Sequence, residues 1–460
     1  MAGNSKSMVR DLTNGSVPKL MFAFAAPLFL ANALQAIYNV VDMIVVGQVV
    51  GGPGMSAVST GGNILHILTF LAMGFSSAGQ VIIARQVGKR DMDAVRKVIG
   101  TMFTMLLVMA LVMSVVCFFI RGWMLGIVNT PEEAYSDTMD YTVICIIGLV
   151  FIYGYNVVSA IMRGMGDSKR PFTFIAIAAI MNMILDIVFV AYMGMGVAGA
   201  ALATVIGQAF SFVYAMVYLY MHKEAFGFDF KLKSFIPDKQ SMAQLSSLGI
   251  PMALQMAAVS ISQTVVAAWV NSFGVIYSAI AGILSKLNMM IGILTNSVST
   301  AAASMVGQNL GARKYARVTR ILICALLSAL VFGVVASLAV YLFPNTIFAW
   351  FTSDKDVLAK ASVIILPCIL NFFGASVRCY GFGLINGSGN SKLNLFVAIL
   401  DGIIGRIGIA YILGWALTMG PVGFWLGDAL AGFVPGLIGL VFYLSGTWRK
   451  EKEPVQQIDE

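Results

Sequence analysis

Long apolar blocks separated by short polar turns recur along the whole chain. They fall near residues 17–47, 56–83, 96–120, 138–162, 170–193, 197–221, 243–271, 276–306, 318–342, 360–386, 393–417 and 421–445. Each reaches the roughly 20 residues that a helix needs to cross a hydrocarbon core. The blocks are too long and too uniformly apolar for the alternation of about ten residues that marks a barrel strand, so they predict helices. The expected fold class is an all-α integral membrane protein with twelve transmembrane helices.

Composition agrees with this pattern. Hydrophobic residues make up 59% of the chain and charged residues 11%, far from the mixture of about half apolar and a quarter charged that covers a soluble surface. The net charge of +8 raises nucleic acid as a partner, and the placement of the basic residues argues against it. With the N-terminus inside, Arg85, Lys89, Arg90, Arg96 and Lys97 share one side with Lys223, Lys231, Lys233, Lys239, Arg313, Lys314, Arg317, Arg320 and Arg449. The opposite loops hold only Arg121, Lys355 and Lys360. This is the positive-inside asymmetry, and it predicts an even helix count with both termini cytoplasmic. The segment Met1–Lys19 lacks the apolar core and cleavage site of a removable signal peptide, so the first helix is expected to be retained.

The chain also resembles itself at a spacing of about 220 residues, the mark of two bundles around a shared path. Ala26-Pro27-Leu28 answers Ile250-Pro251-Met252, Gln86-Val87-Gly88 answers Met305-Val306-Gly307, and Gly164-Met165-Gly166-Asp167-Ser168-Lys169 answers Gly387-Ser388-Gly389-Asn390-Ser391-Lys392. Two pseudo-symmetric six-helix bundles are predicted: an N-lobe over 1–222, a cytoplasmic linker over 223–240, a C-lobe over 241–445 and a cytoplasmic tail over 446–460. Pro27 and Pro251 lie inside the first helix of each half, where each removes a backbone hydrogen bond and permits a bend.

Ionisable residues inside membrane helices are costly, roughly 3 kcal/mol each on insertion scales, and point to function. Asp42 follows Tyr38 by one turn and Gln35 by two, with Asn39 close by; Asn182 and Asp186 are spaced i, i+4. Under the predicted topology both acids lie in the outer half of the membrane, where they can meet. Thr204 and Asn156 can add neutral oxygens, giving an all-oxygen set suited to Na⁺, or the two carboxylates can share a proton. Asn182 has the competing role of interhelical hydrogen-bonding glue. In the second half, Asp401 and Asp428 are accompanied by Lys286, Arg378 and Arg406, which allow a neutralising ion network; in the competing reading some of them contact substrate. The many Met and Phe side chains read mostly as core and lipid-facing residues, a minority of which can line an adaptable pocket for aromatic cations. The five cysteines stand singly in apolar helices and read as core residues, and with only His66 and His222 and no HExxH or Walker-type loop, no enzyme is expected. No cofactor is called for beyond a coupling ion.

With these residues in view, the chain resembles the multidrug and toxic compound extrusion (MATE) family, in its DinF-like and MepA-like bacterial branch. The carriers are Pro27, Gln35-Ala36-Ile37-Tyr38-Asn39-Val40-Val41-Asp42, the Gly88 turn, Arg163-Gly164-Met165-Gly166-Asp167-Ser168-Lys169, Asn182-Met183-Ile184-Leu185-Asp186 and the run Gly194–Thr204. The resemblance implies cation-coupling roles for Asp42, Asn182, Asp186 and Thr204, and a position near that site for Tyr141. Ser159 departs from relatives that carry asparagine there. It further implies an H⁺ or Na⁺ antiporter exporting organic cationic or amphipathic drugs by alternating access of the two lobes, as a monomer in a bacterial cytoplasmic membrane. The alternative within the same superfamily is a flippase for lipid-linked oligosaccharide, to which Lys286, Arg378 and Arg406 lend weight.

Overall fold

The computed structural model describes residues 9–449, and of Ala225 the backbone only. Among the described residues twelve helices are long and apolar enough to cross a membrane. They are α1 (Val17–Val49), α2 (Gly52–Lys89), α3 (Met92–Ile127), α4 (Glu132–Gly164), α5 (Lys169–Tyr192), α6 (Gly196–Met221), α7 (Lys239–Asn271), α8 (Val275–Gly311), α9 (Tyr315–Leu342), α10 (Lys355–Gly387), α11 (Ser391–Ala416) and α12 (Gly420–Leu444). Every predicted apolar block has its helix. Several helices outrun their blocks because their ends are polar: α2 gains Arg85–Lys89 past the apolar stretch before Arg90 turns left-handed at φ 63°. Asp91 then caps α3, accepting from the Ala94 N–H at 3.0 Å.

The outer faces are apolar. On α3, Leu107, Val108, Leu111, Val112, Val115 and Phe119 lie on one helical stripe and are exposed, Phe119 by 79%. Such a surface is untenable in water and is what a hydrocarbon solvent accepts. The chain is a multi-pass membrane protein.

Packing resolves two compact units. One holds the described residues up to Asn14 together with Phe22–Ala257, the other Gly15–Met21 together with the described residues from Ala258 onward. The division therefore falls inside α7, six residues past Pro251, and not in the 223–240 stretch. That stretch is docked on α3 of the first unit. Phe228, tilted, and Phe235, edge-on, pack against Phe103 at centroid distances of 6.3 and 5.8 Å, Thr104 donates to the Phe235 carbonyl, and the Asp238 N–H donates to Thr101 Oγ1 at 3.0 Å. A Cβ at Gly100 would lie 1.8 Å from the Ser234 carbonyl oxygen, so only glycine lets the backbones approach there. Trp448, expected in a solvated tail, is 4% exposed, stacks on Tyr443 at 5.6 Å and donates its indole N–H to the Tyr443 carbonyl. The rest of the expected tail, 450–460, lies outside the described residues.

The repeat is legible in backbone geometry. Left-handed Arg90 corresponds to left-handed Arg313, and Asp91 N–H to Gln86 O is matched by Lys314 N–H to Asn309 O. Gly88 thus answers Gly311, and the expected match of Gln86-Val87-Gly88 with Met305-Val306-Gly307 is out of register by four residues: Met305–Gly307 lie within α8. Gly166 and Gly389 repeat with φ of 89° and 66°, an offset of 223. Farther on the offset is 224: Gly194 and Thr418, then Gly196 and Gly420, all have positive φ. Met193 N–H to Val188 O and Met195 N–H to Phe189 O recur as Leu417 to Ile412 and Met419 to Leu413. The extra residue is absorbed where α11 widens into a π-helical turn over Ala398–Gly405, since a π turn is a one-residue insertion in an α-helix.

Candidate functional site

Four helices of the first unit supply the candidate site. α1 carries Tyr38 and Asp42, α4 Tyr141, α5 Asn182 and Asp186, and α6 Thr204. All six are buried, Asp186 completely and Thr204 most open at 9%. Asn182 Nδ2 donates to Thr204 Oγ1 at 3.3 Å. The Asp42 carboxyl lies against Asp186, Thr204 and Asn182, and Tyr141 adjoins Thr204 and Cys145 within range of the Asp42 charge.

Small residues allow this approach. Gly207 on α6 faces α5, where a Cβ would sit 3.1 Å from the Ala178 carbonyl and 3.4 Å from Asn182 Cβ. Gly61 on α2 leaves room for the Tyr141 ring, since a Cβ there would lie 2.4 Å from Tyr141 Cδ1. Pro27 interrupts α1 about four turns before Asp42, and Pro251 stands likewise inside α7.

The chemistry follows from the oxygens left over. Asp42 Oδ1, both Asp186 carboxylate oxygens and Asn182 Oδ1 are buried with no hydrogen-bond donor. A buried acceptor without a partner costs about 1–3 kcal/mol, and an uncompensated buried charge costs more. Two carboxylates, an amide oxygen and a hydroxyl are hard ligands that suit Na⁺, and the same carboxylates can hold a proton. Among the described residues no group of three or more His, Cys, Asp or Glu side chains converges to hold a metal, and the oxygens of Asp42, Asp186, Asn182 and Thr204 are hard donors and not the softer ligands that favour transition metals.

Two side chains not foreseen from the sequence adjoin this set. Gln208, one turn after Thr204, reaches the Tyr38 hydroxyl and lines a narrow crevice with Tyr38, Ala178, Asn182, Thr204 and Gly207. Its i, i+4 spacing from Thr204 on an apolar helix was the available signal. Cys145 stands one turn after Tyr141 beside it. Gln35 donates to Tyr38 at 3.3 Å. Asn156 is not brought in: its Nδ2 donates to the Ile152 carbonyl of its own helix at 2.8 Å.

In the second unit Arg406 is 2% exposed and pairs with Asp428 and, at 3.4 Å, with Asp401; Arg378 pairs with Asp401 at 2.9 Å. Two guanidiniums and two carboxylates balance. Lys286 stands apart from this network, exposed on α8.

A twelve-helix membrane fold made of two six-helix repeats, with a buried carboxylate pair in the first, defines a class of polytopic membrane protein. The MatE family model matches residues 27–188 and 251–412, and the chain belongs to that family. It is 27% identical over 96% of its length, and 98% of the relative's, to “Probable multidrug resistance protein YpnP” of Bacillus subtilis. It is 20% identical over 84% of its length, and 85% of the relative's, to “Multidrug export protein MepA” of Staphylococcus aureus. A MOP superfamily transporter from Pyrococcus furiosus has the same fold, with a TM-score of 0.88 at 20% identity over 97% of this chain and 99% of its own.

Proposed function

We propose that the chain is a secondary active multidrug efflux transporter that exchanges H⁺ or Na⁺ for organic cationic or amphipathic compounds, working as a monomer in a bacterial cytoplasmic membrane with both termini inside. Relatives named for multidrug resistance and multidrug export support the substrate class, and the basic loops support the orientation.

The observation that carries the coupling is the Asp42–Asp186 pair on α1 and α5, buried with oxygens that no donor satisfies. With an ion or proton between them the two helices are held together. When it leaves, two like charges repel in a medium that screens them poorly. Asp42 rides on a helix weakened at Pro27, so α1 is the element that yields. Ion and drug need only favour different conformations for the gradient of one to drive the other. The flippase reading loses its main support, because Arg378 and Arg406 are engaged by Asp401 and Asp428.

The test is ethidium efflux from proteoliposomes under an imposed pH gradient or an imposed Na⁺ gradient. Wild type is expected to respond to one of them, and Asp42→Asn and Asp186→Asn to neither. Full efflux by folded Asp42→Asn would overturn the coupling role.

A further inference from the structure

The two halves treat corresponding positions in opposite ways. Past the π turn of α11 the offset is 224 residues, as at the ends of the two matched segments, 188 and 412, in the paired backbone bonds and in the starts of α6 and α12 at Gly196 and Gly420. At that offset Asn182 corresponds to Arg406 and Thr204 to Asp428. The contact is conserved in form: Asn182 donates to Thr204, and Arg406 donates to Asp428. Each bond ties the fifth helix of its half to the sixth.

The charges are exchanged. Asp186 corresponds to Ala410, and Asp42 to the valine pair Val265 and Val266, of which Val266 is buried. Ala410 and Val266 belong to the apolar core of the second unit. The second half thus has no carboxylate at the positions that correspond to Asp42 and Asp186, and it has a fixed positive charge where the first has an amide. That charge is nearly sealed, at 2% exposure, and is answered by Asp428 and Asp401.

We propose that Arg406 is a built-in cation: in the second half it takes the role that the coupling ion takes in the first, so each chain binds one coupling ion and the second half binds none. This rests on the coupling role of Asp42 and Asp186. Physically, a tethered guanidinium keeps its helix pair neutral at every stage of a cycle, whereas an ion that comes and goes switches the charge of its pair. One half is then the ion-dependent element and the other a constant one.

Ions bound per chain can be counted on the purified full chain, with radioactive sodium at equilibrium and with protons taken up on acidification in unbuffered detergent. Wild type is expected to bind one ion that Asp42→Asn lacks. The charge-neutral double variant Arg406→Met/Asp428→Leu is expected to keep the wild-type count, and Arg406→Asn, which leaves Asp428 uncompensated beside an amide, to gain one. Loss of an ion in the double variant, or an unchanged count in Arg406→Asn that elutes as a single species, overturns the proposal and leaves the Asp42 site standing. An unchanged count in Asp42→Asn overturns the coupling site itself. Should Arg406→Asn not fold, the double variant decides alone, because replacing a buried ion pair by apolar residues is commonly neutral or stabilising.

Discussion

Asn182 on α5 donates its amide to Thr204 on α6 at 3.3 Å, and this one bond leaves the Asn182 carbonyl oxygen as a buried acceptor beside Asp42. In the proposed coupling site Thr204 therefore has two jobs: it orients the amide and offers an oxygen of its own. Thr204→Val, which keeps the shape and removes both, is expected to weaken ion binding on the order of tenfold, the equivalent of about 1–2 kcal/mol for one lost polar contact. The check is the ion concentration giving half-maximal drug efflux. Unchanged half-saturation with unchanged protein yield would remove Thr204 from the site.

Gly61 and Gly62 give a paired test of how tightly α2 holds Tyr141. A Cβ at Gly61 meets the Tyr141 ring at 2.4 Å, whereas one at Gly62 meets nothing within 4 Å. Gly61→Ala is expected to cost about 1–3 kcal/mol through overpacking and to reduce transport by displacing Tyr141. Gly62→Ala is expected to be neutral or to stabilise by up to about 1 kcal/mol, since both chains spend the residue in a helix. Thermal unfolding in detergent compares them, and equal melting temperatures would show that the ring has room to move.

How much of this was readable beforehand depends on how local each feature is. The spans follow from local apolarity, so all twelve were predicted. Asp42, Asn182 and Asp186 stood out because a charge or amide in an apolar helix is visible without knowing its neighbours. Gln208 was passed over because its one signal, the i, i+4 spacing from Thr204, gains meaning only from the rotation of α6 toward Tyr38. The docking of 223–240 escaped because its charges advertise a linker, while Phe228 and Phe235 act only once Phe103 and Gly100 are brought to them. The repeat register slipped by four at Met305–Gly307 because a short Val-Gly pair recurs; left-handed Arg90 and Arg313 fix it. The network of Arg378, Asp401, Arg406 and Asp428 was expected, but Lys286 was excluded only by the facing of α8.

The docked 223–240 segment gives a pH dependence outside the membrane. Asp238 caps the start of α7: its carboxylate accepts from the Ser241 N–H and hydroxyl, both at 2.8 Å. The Ser241 backbone N–H first of all, then its hydroxyl and Lys97, hold this carboxyl below its ordinary range. A group depressed in the folded state contributes stability above its unfolded pKa, about 3.9 for aspartate, and loses it as pH falls through the lower folded value. Asp238→Ala is therefore expected to cost about 0.5–2 kcal/mol at neutral pH and to lose less than wild type on acidification below about pH 4. Protease cleavage within 223–240 across that range reads the difference; parallel curves for the two proteins would refute the cap.

The ion network of the second unit predicts a sign that depends on how many partners are removed. Asp401 accepts from Arg378 at 2.9 Å and Arg406 at 3.4 Å, and it is completely buried. Asp401→Asn leaves two guanidiniums against the single carboxylate of Asp428, and removing one partner of a buried pair costs about 3–5 kcal/mol. Arg378→Met/Asp401→Leu removes one charge of each sign and leaves Arg406 paired with Asp428, so it is expected to recover most of that loss. Arg378 is one-fifth exposed, and Arg378→Met alone is expected to cost less than Asp401→Asn because Arg406 still answers Asp401. Melting temperatures of the three variants and wild type make the comparison. A double variant no more stable than Asp401→Asn would mean that Asp401 is held by shape and not by charge, since only coupling between the two side chains makes the losses less than additive.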